Sequence, residues 1–167
     1  MFQIGEYVVH ITGGICQITE IAPLNIPGAD KDRNYYVLNP IKPKGGKVFV
    51  PTDSEKAIRQ VMTDKEAWKL IDEIPNIKEK IVENEKLREA CYKEAIRSCD
   101  CRELIGIIKS LHTRRNQRLA EGKKTTATDY KYYKLAEENL FSELAFAIGR
   151  ERDEMPQLIE DRVGIMV

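Results

Sequence analysis

The sequence lacks the long apolar segments and the catalytic motifs that would place it among membrane proteins or familiar enzyme families. No apolar run reaches the 18 residues typical of a membrane-spanning helix. Neither a G-x-G-x-x-G nor a Walker motif is present. The two histidines, His10 and His112, lie in different halves of the chain, and neither is placed to activate a Ser or Cys nucleophile. We therefore expect a protein with no membrane partner that catalyses no reaction and holds no cofactor.

The cysteines of the chain lack the spacing of a metal site. The four cysteines are Cys16, Cys91, Cys99 and Cys101. Cys99 and Cys101 form a C-x-C pair, which together with His112 is only a weak signal of a zinc site. Zinc sites usually show two pairs of ligands, with two to four residues between the cysteines of a pair. Small buried cysteines are the simpler interpretation. The N-terminus shows neither the basic region nor the apolar segment of a signal peptide. We therefore expect reduced thiols, no bound metal and a cytoplasmic location.

Net charge is zero overall, but the charge is unevenly distributed along the chain. Residues 1–85 have a net charge of −2, residues 86–134 of +7 and residues 135–167 of −5. The basic middle segment is the part able to contact nucleic acid. The same charges also fit a solvated helix surface, so charge alone leaves both interpretations open.

The first 62 residues have the pattern of a small β domain. Short segments rich in β-branched and aromatic residues occur at 8–11, 15–21, 35–38, 47–50 and 58–62. Glycine and proline separate them, with Pro43 and Gly45 in the connection before the fourth segment. Pro51 ends the fourth strand or places it at a sheet edge. Five short strands with such turns predict a small, strongly bent barrel.

From residue 63 onward the apolar period becomes helical. Thr63–Glu66 reads as a capping box for a short helix that contains the single tryptophan, Trp68, and stops before Pro75. The spacing places Trp68 in a core. A second capping box is predicted at Thr126–Asp129. Further helices are predicted at about 77–98, 100–120, 127–148 and 150–162. The fold class is therefore α+β, with a β half followed by a helical half.

Several short motifs occur in an order that resembles the CarD/CdnL family of transcription regulators. In the first half they are Gly5–Val9, Gly14-Ile15 with Ile18 and Ile21, Tyr36–Leu38 and Val48–Pro51. In the second half they are Asp100, Leu104, Leu111, Arg114, Arg115, Thr126, Asp129 and Glu143–Ala145. The first half is also similar to the RNA-polymerase-interacting module of the transcription-repair coupling factor. The resemblance implies a Tudor-like five-stranded barrel over residues 1–62 and an all-α domain over residues 63–167.

The family implies that the barrel docks on the β subunit of bacterial RNA polymerase. The matching positions are Leu24, Ile26, Val48, Phe49, Val50 and Pro51. An exposed strand edge would pair through backbone groups, with alternate side chains giving specificity. Some relatives have arginine at the positions of Leu24 and Phe49, so an apolar contact replaces an ionic one here. As an alternative, Phe49 and Ile26 fill the core of the barrel.

The family also implies that the helical domain touches promoter DNA beside the melted region and stabilises the open complex. Relatives wedge a tryptophan into the minor groove at a position that falls on or near Glu85. A carboxylate cannot do this, so DNA contact would rest on basic residues that neutralise phosphates. These are Lys86, Arg88, Lys93, Arg97, Arg114, Arg115, Arg118, Lys123, Lys124 and Lys131.

Two functions remain after this comparison of motifs. One is a monomeric, nucleoid-associated regulator that bridges RNA polymerase and promoter DNA. The alternative is a protein-interaction adaptor on RNA polymerase that does not bind DNA directly. Glu85 at the wedge position and the acidic segment 135–167 favour the adaptor, whereas the basic segment favours the regulator.

Overall fold

The computed structural model describes residues 1–42 and 46–167. The chain forms two compact units, Met1–Val61 and Met62–Val167. This division lies one residue before the boundary expected after residue 62. The predicted glycine–proline connection includes residues 43–45, which lie outside the described residues.

The N-terminal unit is a single curled antiparallel sheet, which confirms the predicted α+β fold with a Tudor-like five-stranded half-barrel. Its strands are β1 (Tyr7–His10), β2 (Gly14–Pro23), β3 (Asn34–Pro40), β4 (Val48–Pro51) and β5 (Ile58–Gln60). Their order in the sheet is β4-β3-β2-β1-β5. The strands β4 and β5 therefore lie at the two edges of the sheet.

The core of this unit lies on one face of the sheet. Its buried side chains are Val8, Cys16, Ile18, Tyr36, Leu38, Val50 and Ile58. The register between β2 and β3 shifts between Ile18 and Glu20, and the hydroxyl of Thr19 donates to the carbonyl oxygen of Val37 at 3.1 Å. Such a bulge increases the local twist of a strand. The bulge thus helps a short sheet to curl around a small core.

The helical unit contains five α-helices, within the part of the chain that the structure describes. They are α1 (Asp64–Glu73), α2 (Arg88–Ser98), α3 (Cys101–Ala120), α4 (Ala127–Ile148) and α5 (Met155–Val163). The capping box at Thr63 and Glu66 is confirmed, and the helix predicted to start at residue 100 begins after Asp100, whose side chain accepts from the N–H of Arg102. At α4 the hydroxyl of Thr126 accepts from the N–H of Asp129, but the Asp129 carboxylate is bonded to Arg114 instead. The second capping box is therefore only half formed.

The predicted helix over 77–98 is wrong in its first half. Residues 77–84 are not helical, a single 3₁₀ turn covers Glu85–Leu87, and α2 begins at Arg88. The N–H of Lys80 donates to the carbonyl oxygen of Gly106 at 3.0 Å, and Lys109 Nζ donates to the Ile77 carbonyl oxygen at 2.6 Å. Bonds to α3 thus replace helical bonds in this segment.

The helices bury one core, with Tyr92, Ile105, Ile107, Phe141 and Leu144 among its fully enclosed side chains. Trp68 is half-buried at the margin of this core rather than inside it. Its indole N–H donates to Asp64 at 3.2 Å, and the Arg162 guanidinium lies 4.9 Å from its ring centre.

Two further expectations concern the membrane and the cysteines. Among the described residues, no helix combines the length and the apolar character needed to cross a membrane. All four cysteines are free thiols: Cys16 and Cys101 are buried, and Cys91 and Cys99 are half-buried. Within residues 1–42 and 46–167, no group of three or more His, Cys, Asp or Glu side chains converges as a metal site would require.

Candidate functional site

The free edge of β4 offers backbone groups for pairing with another strand. Among the described strands, β4 pairs only with β3, in the register Tyr36 with Val50 and Val37 with Phe49. The N–H of Thr52 donates to the carbonyl oxygen of Asn34 at 3.0 Å. Thr52 and Asn34 are therefore a hydrogen-bonded pair of the antiparallel ladder. Because bonded and non-bonded pairs alternate along such a ladder, Val50 with Tyr36 is the next bonded pair and Phe49 with Val37 is a non-bonded pair. The N–H and C=O of Phe49 consequently point away from β3. Among the residues that the structure describes, no strand pairs with the N–H and C=O of Phe49 on this side.

The side chains on and near this edge differ in exposure. Phe49 is 39% exposed and Ile26 is 46% exposed, so neither fills the core of the half-barrel. Val50 faces the core, is 2% exposed and forms a hydrogen-bonded pair with Tyr36, so neither its side chain nor its backbone N–H and C=O is available to a partner strand. The remaining predicted docking residues, Leu24, Val48 and Pro51, are half-buried. An apolar partner would thus meet Phe49 and Ile26 first.

The predicted basic residues of the helical unit fall into two groups. Seven are exposed: Lys86, Lys93, Arg97, Arg115, Lys123, Lys124 and Lys131. Arg118 is half-buried, and its Nε donates to the carbonyl oxygen of Lys124 at 2.9 Å across the α3–α4 turn. Arg88 and Arg114 are turned inward, with side chains only 18% and 17% exposed. The predicted patch at this turn therefore keeps Arg115, Lys123 and Lys124, whereas the head group of Arg114 belongs to an internal site.

A cluster of charged side chains surrounds the Arg114 guanidinium. Its Nε donates to the buried Asp129 carboxylate at 2.8 Å. Its two Nη groups donate to the two oxygens of Glu85, at 2.5 and 3.0 Å. Burial opposes the charge of Arg114, but the hydrogen bonds to Asp129 and Glu85 outweigh it and raise its pKa. The hydrogen bond from Arg114 is likewise the main reason that the pKa of Glu85 is lowered.

Arg88 and Tyr92 extend this cluster along α2. Arg88 Nε lies 3.1 Å from Glu85 Oε1, and its Nη2 donates to the Val82 carbonyl oxygen at 3.2 Å. Its Nη1 donates to the Tyr92 hydroxyl at 3.3 Å, and that hydroxyl donates to Asp129 at 3.4 Å. Two guanidinium groups thus converge on the single exposed carboxylate of Glu85.

A shallow cleft of about 330 Å³ lies between the end of α3 and the start of α4. It is lined by Leu111, Arg115, Thr125, Asp129, Tyr130, Tyr133 and Lys134. Tyr130 is 59% exposed, so its ring is accessible from the cleft. Stacking on such a ring is a common way to hold an unpaired base. Tyr130 was not predicted as a site residue, although an aromatic residue one turn after the Thr126 cap was a usable signal.

Comparison with known proteins identifies the first of the two units. Residues 2–62 match the family model described as the CarD-like/TRCF RID domain. The N-terminal unit is a CarD-like/TRCF RID domain. The resemblance to CarD/CdnL-type proteins is thereby confirmed on this half, and the chain is a transcription-related protein that interacts with RNA polymerase. No curated protein matches the chain closely enough to count as a relative.

The RID match covers the half-barrel and stops where the helical unit begins. It therefore supports the docking role of the sheet and leaves the role of the helices to their own chemistry. The free β4 edge lies inside the matched residues, and the Arg114 cluster and the cleft at Tyr130 lie outside them. Arg114 and Glu85 are 29 positions apart, so no local pattern in the sequence pairs them.

Proposed function

We propose that this protein docks on the β subunit of bacterial RNA polymerase through the β4 edge of its RID domain. We further propose that its helical unit contacts the backbone of promoter DNA and stabilises the open complex. The family match of residues 2–62 carries the first part of this proposal. The protein acts as a binding module and performs no catalytic step.

The β4 edge supports docking by strand addition. Phe49 directs its N–H and C=O away from β3, where no other strand of the described residues pairs with them, and the residue is 39% exposed. A partner strand would satisfy these groups and cover the ring, so backbone bonds supply affinity and Phe49 supplies specificity. Because Val50 already fills the core, it stabilises the edge strand rather than contacting the polymerase directly.

The test of docking is retention of RNA polymerase by the full-length protein carrying Phe49→Asp. A carboxylate at the centre of an apolar contact is expected to reduce retention at least tenfold, since it would be desolvated without a partner. The matched control is Ile4→Asp, which alters a residue 62% exposed outside β4. Equal retention by wild type and Phe49→Asp would exclude the β4 edge as the docking surface.

The exposed lysines and arginines of the helical unit support contact with DNA phosphates. Arg115 lines the cleft that contains Tyr130, Lys123 and Lys124 lie in the α3–α4 turn, and all three residues are exposed. Charges of this kind neutralise phosphates without reading base sequence. Their contribution appears as a dependence of the binding constant on salt concentration.

The test of DNA contact is the salt dependence of binding to a promoter duplex. The binding constant falls with rising salt, and the double variant Lys123→Gln/Lys124→Gln is expected to make this fall less steep. The magnitude of the slope of log K against log salt should decrease by about 2, because each lysine removed leaves one phosphate without its neutralising charge. Lys65→Gln, at an exposed position in α1, is the control. Open-complex lifetime on a ribosomal-RNA promoter is then expected to rise with wild-type protein and to rise less with the double variant.

The adaptor alternative has one specific observation in its favour. Two of the ten predicted DNA-binding residues, Arg88 and Arg114, already form ion pairs with carboxylates of the same protein. An adaptor would retain polymerase but show weak duplex binding with little response to salt. Retention of polymerase without any change in open-complex lifetime would favour it over the regulator.

A further inference from the structure

We infer that Arg114 and Arg88 form a phosphate-binding site that Glu85 occupies within the free protein, and that a backbone phosphate of bound nucleic acid displaces Glu85 from it. This inference rests on the proposed DNA contact and adds an internal competitor to it. Glu85, the glutamate at the wedge position, then acts as an intramolecular competitor that weakens nucleic-acid binding.

The geometry of the Glu85 contact matches that of a bound phosphate. The two carboxylate oxygens of Glu85 accept from two different Nη groups of Arg114, at 2.5 and 3.0 Å. A guanidinium binds two oxygens of a phosphate with the same fork. Arg88 Nε lies 3.1 Å from Glu85 Oε1 and adds a second positive charge to the same position. A phosphate placed where the carboxylate now lies would meet the same two arginines.

Both arginines are held from the inside, so the site keeps its form when Glu85 leaves. Asp129, which is 4% exposed, accepts from Arg114 Nε at 2.8 Å and does not depend on Glu85. Arg88 is held by the Tyr92 hydroxyl at 3.3 Å and the Val82 carbonyl oxygen at 3.2 Å. A preorganised anion site loses little freedom when its ligand binds, which favours exchange of one anion for another.

Glu85 is the exposed member of the cluster. Its side chain is 64% exposed, whereas those of Arg114 and Arg88 are 17% and 18% exposed. It lies in a 3₁₀ turn of three residues, Glu85–Leu87, that follows the non-helical segment 77–84. Ion pairs that face solvent on one side are weak, so a phosphate within a polyanion can compete with this carboxylate. The reduction in nucleic-acid affinity caused by Glu85 is therefore expected to be modest and reversible.

The experiment compares Glu85→Gln with wild-type full-length protein in binding to a promoter duplex. We expect the affinity of Glu85→Gln to be about threefold to tenfold higher at low salt, because a competitor is removed while the arginines remain in place. The slope of log K against log salt should steepen by about 1, the amount expected for one additional phosphate contact. Glu83→Gln is the matched control, since it removes the same charge two residues earlier at an exposed position.

A second measurement uses inorganic phosphate as the probe and needs no DNA. In Glu85→Gln, phosphate is expected to shift the Nε–Hε resonances of Arg114 and Arg88 at lower concentration than in wild type. Adding Arg114→Lys, which keeps the charge beside Asp129 but removes the fork, should abolish the increase in affinity in both assays.

The outcomes separate this inference from the proposed function. Equal increases in affinity from Glu85→Gln and Glu83→Gln, or no increase from either, would overturn the inference while salt-dependent DNA binding by wild type still supports the proposed function. Phosphate shifts at Arg114 without duplex binding by any variant would support the site and refute its use on DNA. Neither phosphate shifts nor duplex binding would refute both.

Discussion

Removal of the buried carboxylate at Asp129 is expected to destabilise the helical unit strongly. Asp129 is 4% exposed and joins Arg114 on α3 to Tyr92 on α2, at 2.8 and 3.4 Å. In Asp129→Ala the guanidinium loses its inner partner, and breaking a buried pair in this way costs about 3–5 kcal/mol. Arg114 keeps its bond to Glu85 and some contact with water, so the lower end of that range, about 3 kcal/mol, is expected.

Urea unfolding followed by tryptophan emission measures this loss of stability on the correct unit, because Trp68 is the only tryptophan and lies in α1. With an m value of about 1.5 kcal/mol/M, the midpoint should fall by about 2 M. The control is Glu121→Ala, which removes an exposed ion pair with Lys123 and should leave the midpoint unchanged. A loss below about 1 kcal/mol in Asp129→Ala would refute the view that this pair is buried and structural.

Three further outcomes follow from local contacts. Thr63→Ala removes the cap of α1 and should cost about 1 kcal/mol in the same urea assay. Gly106→Ala should leave the free energy of unfolding nearly unchanged, since its Cβ would lie 3.4 Å from the Lys78 carbonyl oxygen. The larger side chain of Gly106→Val should lower the free energy of unfolding by about 2 kcal/mol. Gly106→Val should also speed hydrogen exchange at the N–H of Lys80, which donates to the Gly106 carbonyl oxygen. Burial lowers the pKa of His10, whose Nδ1 accepts from the Gly13 N–H at 3.0 Å. His10 therefore binds a proton more readily in the unfolded chain than in the folded one, and the RID domain should lose stability as pH falls below about 6.5. Urea unfolding of the RID domain at pH 7.5 and pH 5.5 measures this loss. The difference in the free energy of unfolding between the two pH values should be smaller in His10→Asn than in wild type.

Several elements were predictable because short-range chemistry decides them. The capping box at Thr63 needs only a hydroxyl and a carboxylate three residues apart. Gly149 ends α4 in the left-handed conformation, with φ of 68°, and glycine adopts it without steric cost. The five strands follow from alternating side chains bounded by glycine and proline. Each of these signals lies within a few residues of the element it specifies.

The errors arose where distant residues replace local bonds. The segment 77–84 has helical spacing, yet its backbone bonds to α3 through Lys80 and Gly106. Lys80 and Gly106 are 26 positions apart in the sequence, so no local pattern could predict the contact. The carboxylate of Asp129 was expected to complete a cap, but Arg114 approaches from α3 and takes it. In both cases a tertiary partner outweighs the local preference.

The sequence by itself therefore determined the strands, most helix boundaries, the basic middle segment and the membership of residues 2–62 in the RID family. Tertiary structure alone decided which side chains remain available for binding. It buried Val50 and exposed Phe49 at the β4 edge, and it paired Arg114 with Glu85 and Asp129. The physical reason is that propensity and capping act over a few residues, whereas burial and ion pairing depend on which distant elements pack together.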